Sequence, residues 1–198
     1  MNAIGDKESG LPRELKALSS VRSTSHLIVR EARETDAHAV LRFKKKVFME
    51  TDNLLQTMDD YDFDTEEERY LIRRYRHLEN CALYLALMGR ETVGFLTMQG
   101  GALQRNRHVA QLGLAVTKEQ WGKGVGRQLM EKAIAWGESH SQIRKVSLLV
   151  YDDNQRAIRL YERFGFKREG CLKKEVYLAE RGKYVDLVAM GLCFEDAE

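Results

Sequence analysis

The chain has 198 residues, 43% of them hydrophobic and 31% charged, which suits one globular domain with a sizeable core. Its 32 basic and 30 acidic residues give a net charge of +2, so bulk charge favours neither a nucleic acid nor an anionic membrane as partner. Three widely separated cysteines favour reduced thiols over disulfides or a metal site, and no apolar run reaches the roughly 20 residues of a membrane span. We therefore expect a cytoplasmic, metal-free protein.

The N-terminal segment differs in composition from the rest of the chain. Residues 1–24 contain the only proline, Pro12, among scattered serines and charges, and we expect a flexible tail there. Residues 25–198 are predicted to form a single domain.

Hydrophobic spacing predicts the order β-α-α-β-β-β-α-β-α-β-β for this domain. The predicted strands cover residues 26–33, 81–88, 92–98, 108–117, 145–150, 166–178 and 184–194. The predicted helices cover residues 36–49, 65–78 and 125–137, with a fourth helix around Tyr161. Thr65 followed by Glu68 is a capping box, which predicts the start of the second helix.

A glycine-rich turn separates the fourth strand from the third helix. Residues 120–127 read Gln-Trp-Gly-Lys-Gly-Val-Gly-Arg. A strand, a turn and a helix in this order place unpaired N–H groups at the mouth of the turn, where the helix dipole also favours an anion. Alternate glycines let the backbone approach a pyrophosphate closely. The residues predicted to bind phosphate are Trp121, Gly122, Lys123, Gly124, Val125, Gly126 and Arg127.

Two other glycine motifs do not fit this turn. A P-loop needs Ser or Thr directly after its lysine, whereas Lys123 is followed by Gly124. A G-x-G-x-x-G fingerprint fails because its third glycine would fall on Arg127 or Leu129. For the turn alone, one alternative interpretation stays open, namely a helix N-terminus that needs glycine for its backbone conformation and binds no phosphate.

A second motif follows the next predicted strand, in residues 154–166, where Gly165 is typical of a helix stop. Here the chain resembles the GNAT superfamily of N-acetyltransferases, whose signature is a [RQ]-x-x-G-x-[GA] turn followed by N-x-x-A-x-x-x-Y-x-x-x-G-F. The second motif is matched by Asn154, Ala157, Tyr161, Gly165 and Phe166, and the first by Gly124 and Gly126. Trp121 stands at the usual Arg or Gln position, which a turn that binds phosphate through main-chain N–H groups tolerates.

The resemblance covers about residues 26–194 and implies an α/β (α+β) fold. That fold is a mixed, mostly antiparallel sheet with helices on both faces and splayed central strands. Acetyl-CoA is implied as the cosubstrate, with direct transfer of its acetyl group to a primary amine through a tetrahedral intermediate. The oxygen of that intermediate needs a hydrogen-bond donor, and the splayed strand at Leu114, Ala115 and Val116 would offer a main-chain N–H.

The resemblance also implies roles for the second motif. Tyr161 would protonate the leaving thiolate, and the alternative is a core tyrosine on the apolar face of its helix. Asn154 would help to bind the pantetheine arm of the cofactor, although it also suits an N-cap, and Ala157 and Tyr161 are expected to contact the cofactor as well. Lys123 and Arg127 would assist the phosphates, or would be solvated surface charges.

The general base has no clear candidate in the sequence. Relatives often carry a glutamate on the fourth strand, where this chain has Gln111, and an amide cannot accept the proton. His108 precedes it on the opposite face of the predicted strand and is more typical of a surface histidine. A carboxylate from the first two helices, or a chain of water molecules, stays open.

The acceptor would be set by the N-terminal half. Residues 50–68 contain nine acidic residues and no Lys or Arg. An acidic wall would attract a cationic amine such as a polyamine, an aminoglycoside-like base or a basic peptide end. The alternative is a helix N-terminus followed by a solvated loop. Residues 170–192 resemble the branch that contains polyamine and ribosomal-protein acetyltransferases. We expect no nucleic acid or membrane partner, and the resemblance makes a homodimer plausible.

Two further functional classes fit the same sequence. One is a non-catalytic acyl-CoA-binding or sensor module on the same fold, which the missing glutamate favours. The other is a protein-interaction or nucleotide-binding α/β domain whose glycine turn holds a different phosphate, which the match in residues 154–166 disfavours.

Overall fold

In a computed structural model, residues 26–194 are described, so the predicted tail at residues 1–24 lies outside the described residues. The strands are β1 Leu27–Glu31, β2 Cys81–Met88, β3 Glu91–Gly100, β4 Val109–Val116, β5 Lys145–Tyr151, β6 Lys167–Leu178 and β7 Lys183–Cys193. The helices are α1 Ala37–Glu50, α2 Thr65–His77, α3 Val125–Ser139 and α4 Gln155–Arg163. The predicted order is confirmed, with ends that shift by at most two residues. Within residues 26–194, no helix has the length and apolar character to span a bilayer.

The strands form one seven-stranded sheet in the order β1-β2-β3-β4-β5-β7-β6. All neighbouring pairs are antiparallel except β4 and β5, which confirms the predicted mixed, mostly antiparallel sheet. The parallel pair extends only from Val109–Gln111 on β4 to Lys145–Ser147 on β5. Beyond these positions the two strands separate, and the gap between them is the predicted splay.

Helices cover both faces of the sheet. On one face, α3 and α4 bury an apolar cluster that includes Leu96, Leu129 and Val146. On the other face, α1 and α2 pack on β2 and β3 through residues such as Val40 and Ile72. The β4–β5 part of this second face stays open, since Leu149 is 46% exposed there.

The predicted capping box of α2 is shifted by one residue. Asp64, not Thr65, is the N-cap, and its carboxylate accepts hydrogen bonds from the N–H groups of Glu66 at 2.8 Å and Glu67 at 2.9 Å. Glu67 completes the box by accepting from the Asp64 N–H at 2.8 Å. Glu68 is instead fully buried, and its carboxylate contacts Lys44 at 2.6 Å. The prediction was wrong because a buried ammonium group from α1 engages the carboxylate that was assigned to the cap.

Candidate active site

The gap between β4 and β5 opens into a cleft of about 600 Å³. Its walls are the second half of β4, the turn that follows it, the end of β5, α4 and residues 51–55. Among the residues predicted to bind the cofactor, those that line the cleft are Leu114, Ala115, Val116, Trp121, Gly122, Gly124, Gly126, Arg127, Asn154, Ala157 and Tyr161. The side chains of Lys123 and Val125 do not line it, because Lys123 is exposed and Val125 is buried in the core.

The glycine turn has the geometry of an anion site. Gly124 is the N-cap of α3 with φ of 87°, in the left-handed region that favours glycine, and it provides no side-chain cap. The first N–H groups of α3 are therefore left without a side-chain acceptor at the cleft. A Cβ on Gly126 would lie 3.2 Å from Leu160 Cδ2, so the absence of a side chain keeps this end of the cleft open.

Trp121 connects the turn to its neighbours. Its indole Nε1 donates a 2.8 Å hydrogen bond to the Val116 carbonyl. The Arg156 guanidinium carbon lies 3.5 Å from the centre of the indole ring, a cation–π contact between the turn and α4. This side chain thus packs against an arginine and β4, which explains why the turn does not require Arg or Gln at this position.

The charge of the cleft is positive. Its charged lining residues are Arg127, Arg156, Arg159 and Arg163, and no Asp or Glu within residues 26–194 lines it. Arg156, Arg159 and Arg163 were not predicted from the sequence as residues of the site. Their i, i+3 and i+7 spacing was visible and places them on one face of α4.

The gap-facing edge of β4 offers two main-chain donors. The Thr117 N–H bonds to the Val93 carbonyl at 3.0 Å and therefore points towards β3. Because successive N–H groups alternate along a strand, Ala115 also points towards β3, whereas Leu114 and Val116 point into the gap. Of the three residues of the predicted splayed strand, Leu114 and Val116 therefore direct an N–H into the gap, and Ala115 does not.

Tyr161 lies on the buried face of α4 and also reaches the cleft. It is 7% exposed, and its ring centroid lies 5.9 Å from that of Phe166. Burial raises the pKa of the Tyr161 hydroxyl, so the phenol stays protonated at neutral pH. Asn154 Oδ1 accepts a 3.2 Å hydrogen bond from the Ala157 N–H, which makes Asn154 the N-cap of α4 as well as a residue of the cleft wall.

No side-chain base is present at the cleft in the part of the chain that the structure describes. Gln111 lines the cleft, and His108 lies exposed in the turn before β4. Within residues 26–194, the cleft lining contains no Asp, Glu or His.

The acidic segment does not form an acidic wall at the cleft. From residues 50–68, only Thr51, Asn53, Leu54 and Leu55 line it. Several carboxylates have other partners: Asp52 pairs with Arg181, and Glu50 accepts from the Lys118 N–H at 2.7 Å. The Tyr151 hydroxyl donates to the Leu54 carbonyl at 3.1 Å, so the β6–β7 hairpin and β5 together hold this segment over the cleft.

Comparison with known proteins shows a consistent family relationship. A family model described as acetyltransferase (GNAT) family matches residues 48–166. The L-amino acid N-acetyltransferase AaaT of Escherichia coli K12 is 33% identical over 107 residues, which cover 54% of this chain and 65% of that protein. A spermidine N(1)-acetyltransferase of Vibrio cholerae is 32% identical over 81 residues, which cover 41% and 46%. The chain thus spans between about half and two thirds of these curated relatives.

Solved structures share the fold over nearly their whole length. An acetyltransferase of the GNAT family from Streptococcus pneumoniae superposes with a TM-score of 0.82 at 30% identity, covering 85% of this chain and all of that one. The yncA protein of Salmonella typhimurium, solved with its cofactor acetyl-CoA, superposes with a TM-score of 0.77. It covers 88% of this chain and 97% of that one, and at 18% identity it shows the shared fold alone.

Proposed function

Because the chain belongs to the acetyltransferase (GNAT) family, whose cosubstrate is acetyl-CoA, we propose that it transfers the acetyl group of acetyl-CoA to a primary amine. The observation that carries this proposal is the cleft between β4 and β5. One end of it is a glycine turn at a helix N-terminus, and its wall contains the protonated phenol of Tyr161.

The residues of the cleft fit acetyl-CoA. The N–H groups at the start of α3 bind the pyrophosphate, and the arginines of α3 and α4 supply positive charge for phosphate oxygens. Asn154 provides a polar group for the amides of the pantetheine arm. A Cβ on Gly126 would lie 3.2 Å from Leu160 Cδ2, so a glycine at this position supports the close approach of a phosphate to the backbone.

The reaction forms a C–N bond to the amine and breaks the C–S bond of the thioester that acetyl-CoA supplies. Negative charge develops on the carbonyl oxygen, and the N–H groups of Leu114 and Val116 donate into the gap where that oxygen lies. The departing thiolate, whose conjugate thiol has a pKa of about 8.5, accepts a hydrogen bond and a proton from the Tyr161 hydroxyl. The nitrogen loses one proton as the amide forms, and water returns a proton to the phenol. The product is the N-acetylated amine with the free thiol of CoA.

The rate should depend on the pKa of the acceptor itself. An alkyl amine has a pKa of about 10.4 and must lose a proton to react. With no Asp, Glu or His in the described cleft lining, that proton passes to water. We expect kcat/KM for the amine to rise with pH towards that pKa, and an acceptor of lower pKa to shift the whole profile. A break at one fixed pH for both acceptors would instead indicate a protein base.

The protein should bind acetyl-CoA in preference to ATP and NAD. The substitution Gly126→Glu should raise the dissociation constant of acetyl-CoA at least about tenfold. The new side chain would bring bulk and negative charge to the pyrophosphate end of the cleft. Calorimetric titration with acetyl-CoA, ATP and NAD measures both effects. Gln128→Glu adds the same charge at an exposed position of α3 outside the cleft lining and serves as the matched control. Unchanged affinity in Gly126→Glu would refute the phosphate site.

A non-catalytic acyl-CoA-binding module is the second candidate, favoured by Gln111 and by the absence of a carboxylate or histidine from the described cleft lining. Binding of acetyl-CoA without acetylation of any amine would identify it. Two of the relatives are an L-amino acid N-acetyltransferase and a spermidine N(1)-acetyltransferase, which supports a small amine as acceptor here. A cytoplasmic location and a homodimer stay predictions.

A further inference from the structure

A second cleft of about 910 Å³ lies beside the first. It is bounded by the end of α2, the starts of β2, β4 and β5, the end of β3 and the loop at residues 101–107. Of the described residues, only Gln111 lines both clefts, so the two meet at this side chain. A molecule whose amine enters the gap between β4 and β5 can therefore extend into the second cleft.

The floor of the second cleft is a polar row across four strands. Cys81 pairs with Gln99, Gln99 with Gln111, and Gln111 with Ser147, so the four side chains project from the same face. Gln99 Oε1 accepts a 3.1 Å hydrogen bond from the Tyr75 hydroxyl, which leaves the Gln99 amide nitrogen as a donor. The floor thus presents amide and hydroxyl groups without a charge.

Among residues 26–194, the charged residues that line the second cleft are two arginines. Arg74 comes from the last turn of α2, and Arg107 from the loop before β4. No Asp or Glu of residues 26–194 lines this cleft, and in that range neither arginine has a carboxylate within the 4.0 Å of a salt bridge. Both guanidinium groups therefore lack a carboxylate partner among the described residues and can bind the carboxylate of a ligand.

The loop that carries Arg107 is well fixed. Asn80 Nδ2 donates to the Gly101 carbonyl at 3.1 Å, and the Gly101 N–H donates to the Val109 carbonyl at 3.0 Å. A Cβ on Gly101 would lie 2.4 Å from the Asn106 carbonyl, so the two ends of the loop approach as closely as glycine permits. The guanidinium group thus projects from an ordered support.

We propose that the second cleft binds the carboxylate end of the acceptor, so that the substrate is an amine that also carries a carboxylate. This rests on the proposed function, because the gap between β4 and β5 must hold the amine. Guanidinium groups bind carboxylates through paired, charge-assisted hydrogen bonds, and the glutamine amides add neutral donors. A polyamine would instead meet arginines in both clefts.

The geometry also bounds the length of the acceptor. Neighbouring strands lie about 4.8 Å apart, so the β2 end of the floor is roughly 12 Å from the gap between β4 and β5. Arg74 lies at that end, since it neighbours Cys81 and Tyr75. A chain of several atoms must therefore separate the amine from the carboxylate.

The test compares ω-amino acids of increasing length with diamines and alkylamines of the same length. For the wild-type protein, kcat/KM should favour the longer amino acids over the matched diamines at least about tenfold. Arg74→Gln and Arg107→Gln should each raise KM for the amino acid about tenfold and leave the alkylamine unchanged. Arg76→Gln and Arg105→Gln remove exposed charges that do not line the cleft and should change neither substrate.

The carboxylate site would be overturned if the wild-type protein preferred the diamine. It would also be overturned if the KM for the amino acid were the same in all four variants. If no amine is acetylated although acetyl-CoA binds, the proposed transfer reaction fails, and calorimetric binding of the same amino acids and diamines decides the site by itself. Amino-acid binding that weakens in Arg74→Gln and Arg107→Gln supports it. The absence of binding, or binding that these variants do not change, contradicts it.

Discussion

Replacing Tyr161 by phenylalanine is expected to lower kcat about a hundredfold while the dissociation constant of acetyl-CoA changes by less than about twofold. The phenol is protonated at neutral pH because burial raises its pKa, and it reaches the cleft from the buried face of α4. The substitution removes only the donor to the departing sulfur, and the ring keeps its packing against Phe166. Steady-state kinetics with calorimetry separates the two quantities.

Tyr184→Phe is the matched control. Its hydroxyl belongs to an exposed tyrosine pair on the β6–β7 hairpin, with ring centroids 4.9 Å apart and no place in the cleft lining. The loss of this phenol should change neither kcat nor affinity. An unchanged kcat in Tyr161→Phe would return Tyr161 to the role of a core residue, while equal losses in kcat and affinity would indicate a misplaced α4.

The parts of the site that the sequence predicted are those that depend on local geometry. The proposed phosphate turn requires only a strand, glycines with positive φ and a helix start, all of which are contiguous. The second motif likewise contains both the N-cap residue Asn154 and Tyr161 within one short helix. Pattern and structure agree there because no distant contact is needed.

The charge of the site depends on distant contacts and was not predicted. The spacing of Arg156, Arg159 and Arg163 defines one face of α4, but whether that face meets solvent or the cleft depends on how α4 packs against β4. The acidic segment shows the converse. Its net charge is evident in the sequence, yet Asp52 pairs with Arg181, which is remote in the chain, and the cleft receives only uncharged residues from this segment.

The capping box of α2 illustrates the same limit at one residue. Asp64 and Thr65 are both good N-caps, and three successive glutamates supply a partner for either register. Lys44 of α1 distinguishes the registers, because its buried ammonium group needs a carboxylate and only Glu68 is directed inwards. A long-range pair between α1 and α2 thus sets the local cap.

Glu68→Gln should lower the free energy of unfolding by about 3 kcal/mol. The buried carboxylate binds Lys44 at 2.6 Å and accepts a hydrogen bond from the Tyr61 hydroxyl. Glutamine keeps the shape and can still accept from Tyr61, but the Lys44 charge is left unpaired among the rings of Tyr61, Phe63 and Phe95. Urea denaturation measures the change.

The pH dependence of stability tests whether the unpaired charge of Lys44 causes the lower stability of Glu68→Gln. Burial lowers the pKa of Lys44 and Glu68 opposes that shift, so the pKa falls further when the carboxylate is removed. Between the lowered pKa of Lys44 in the folded variant and the lysine pKa of about 10.4 in the unfolded chain, the unfolded chain binds more protons. The free energy of unfolding therefore rises with pH in that range. The difference in free energy of unfolding between the wild-type protein and Glu68→Gln should therefore decrease as the pH is raised from about 7 towards about 10.

The double variant Lys44→Met with Glu68→Gln should recover most of the lost stability, because no buried charge remains and Tyr61 keeps its acceptor. Glu66→Ala is the surface control, since its ion pair with Arg69 is solvent-exposed and contributes about 0.5 kcal/mol or less. If the double variant is as unstable as Glu68→Gln alone, the carboxylate stabilises α2 through contacts other than Lys44. In that case the long-range ion pair cannot be what sets the register of the cap.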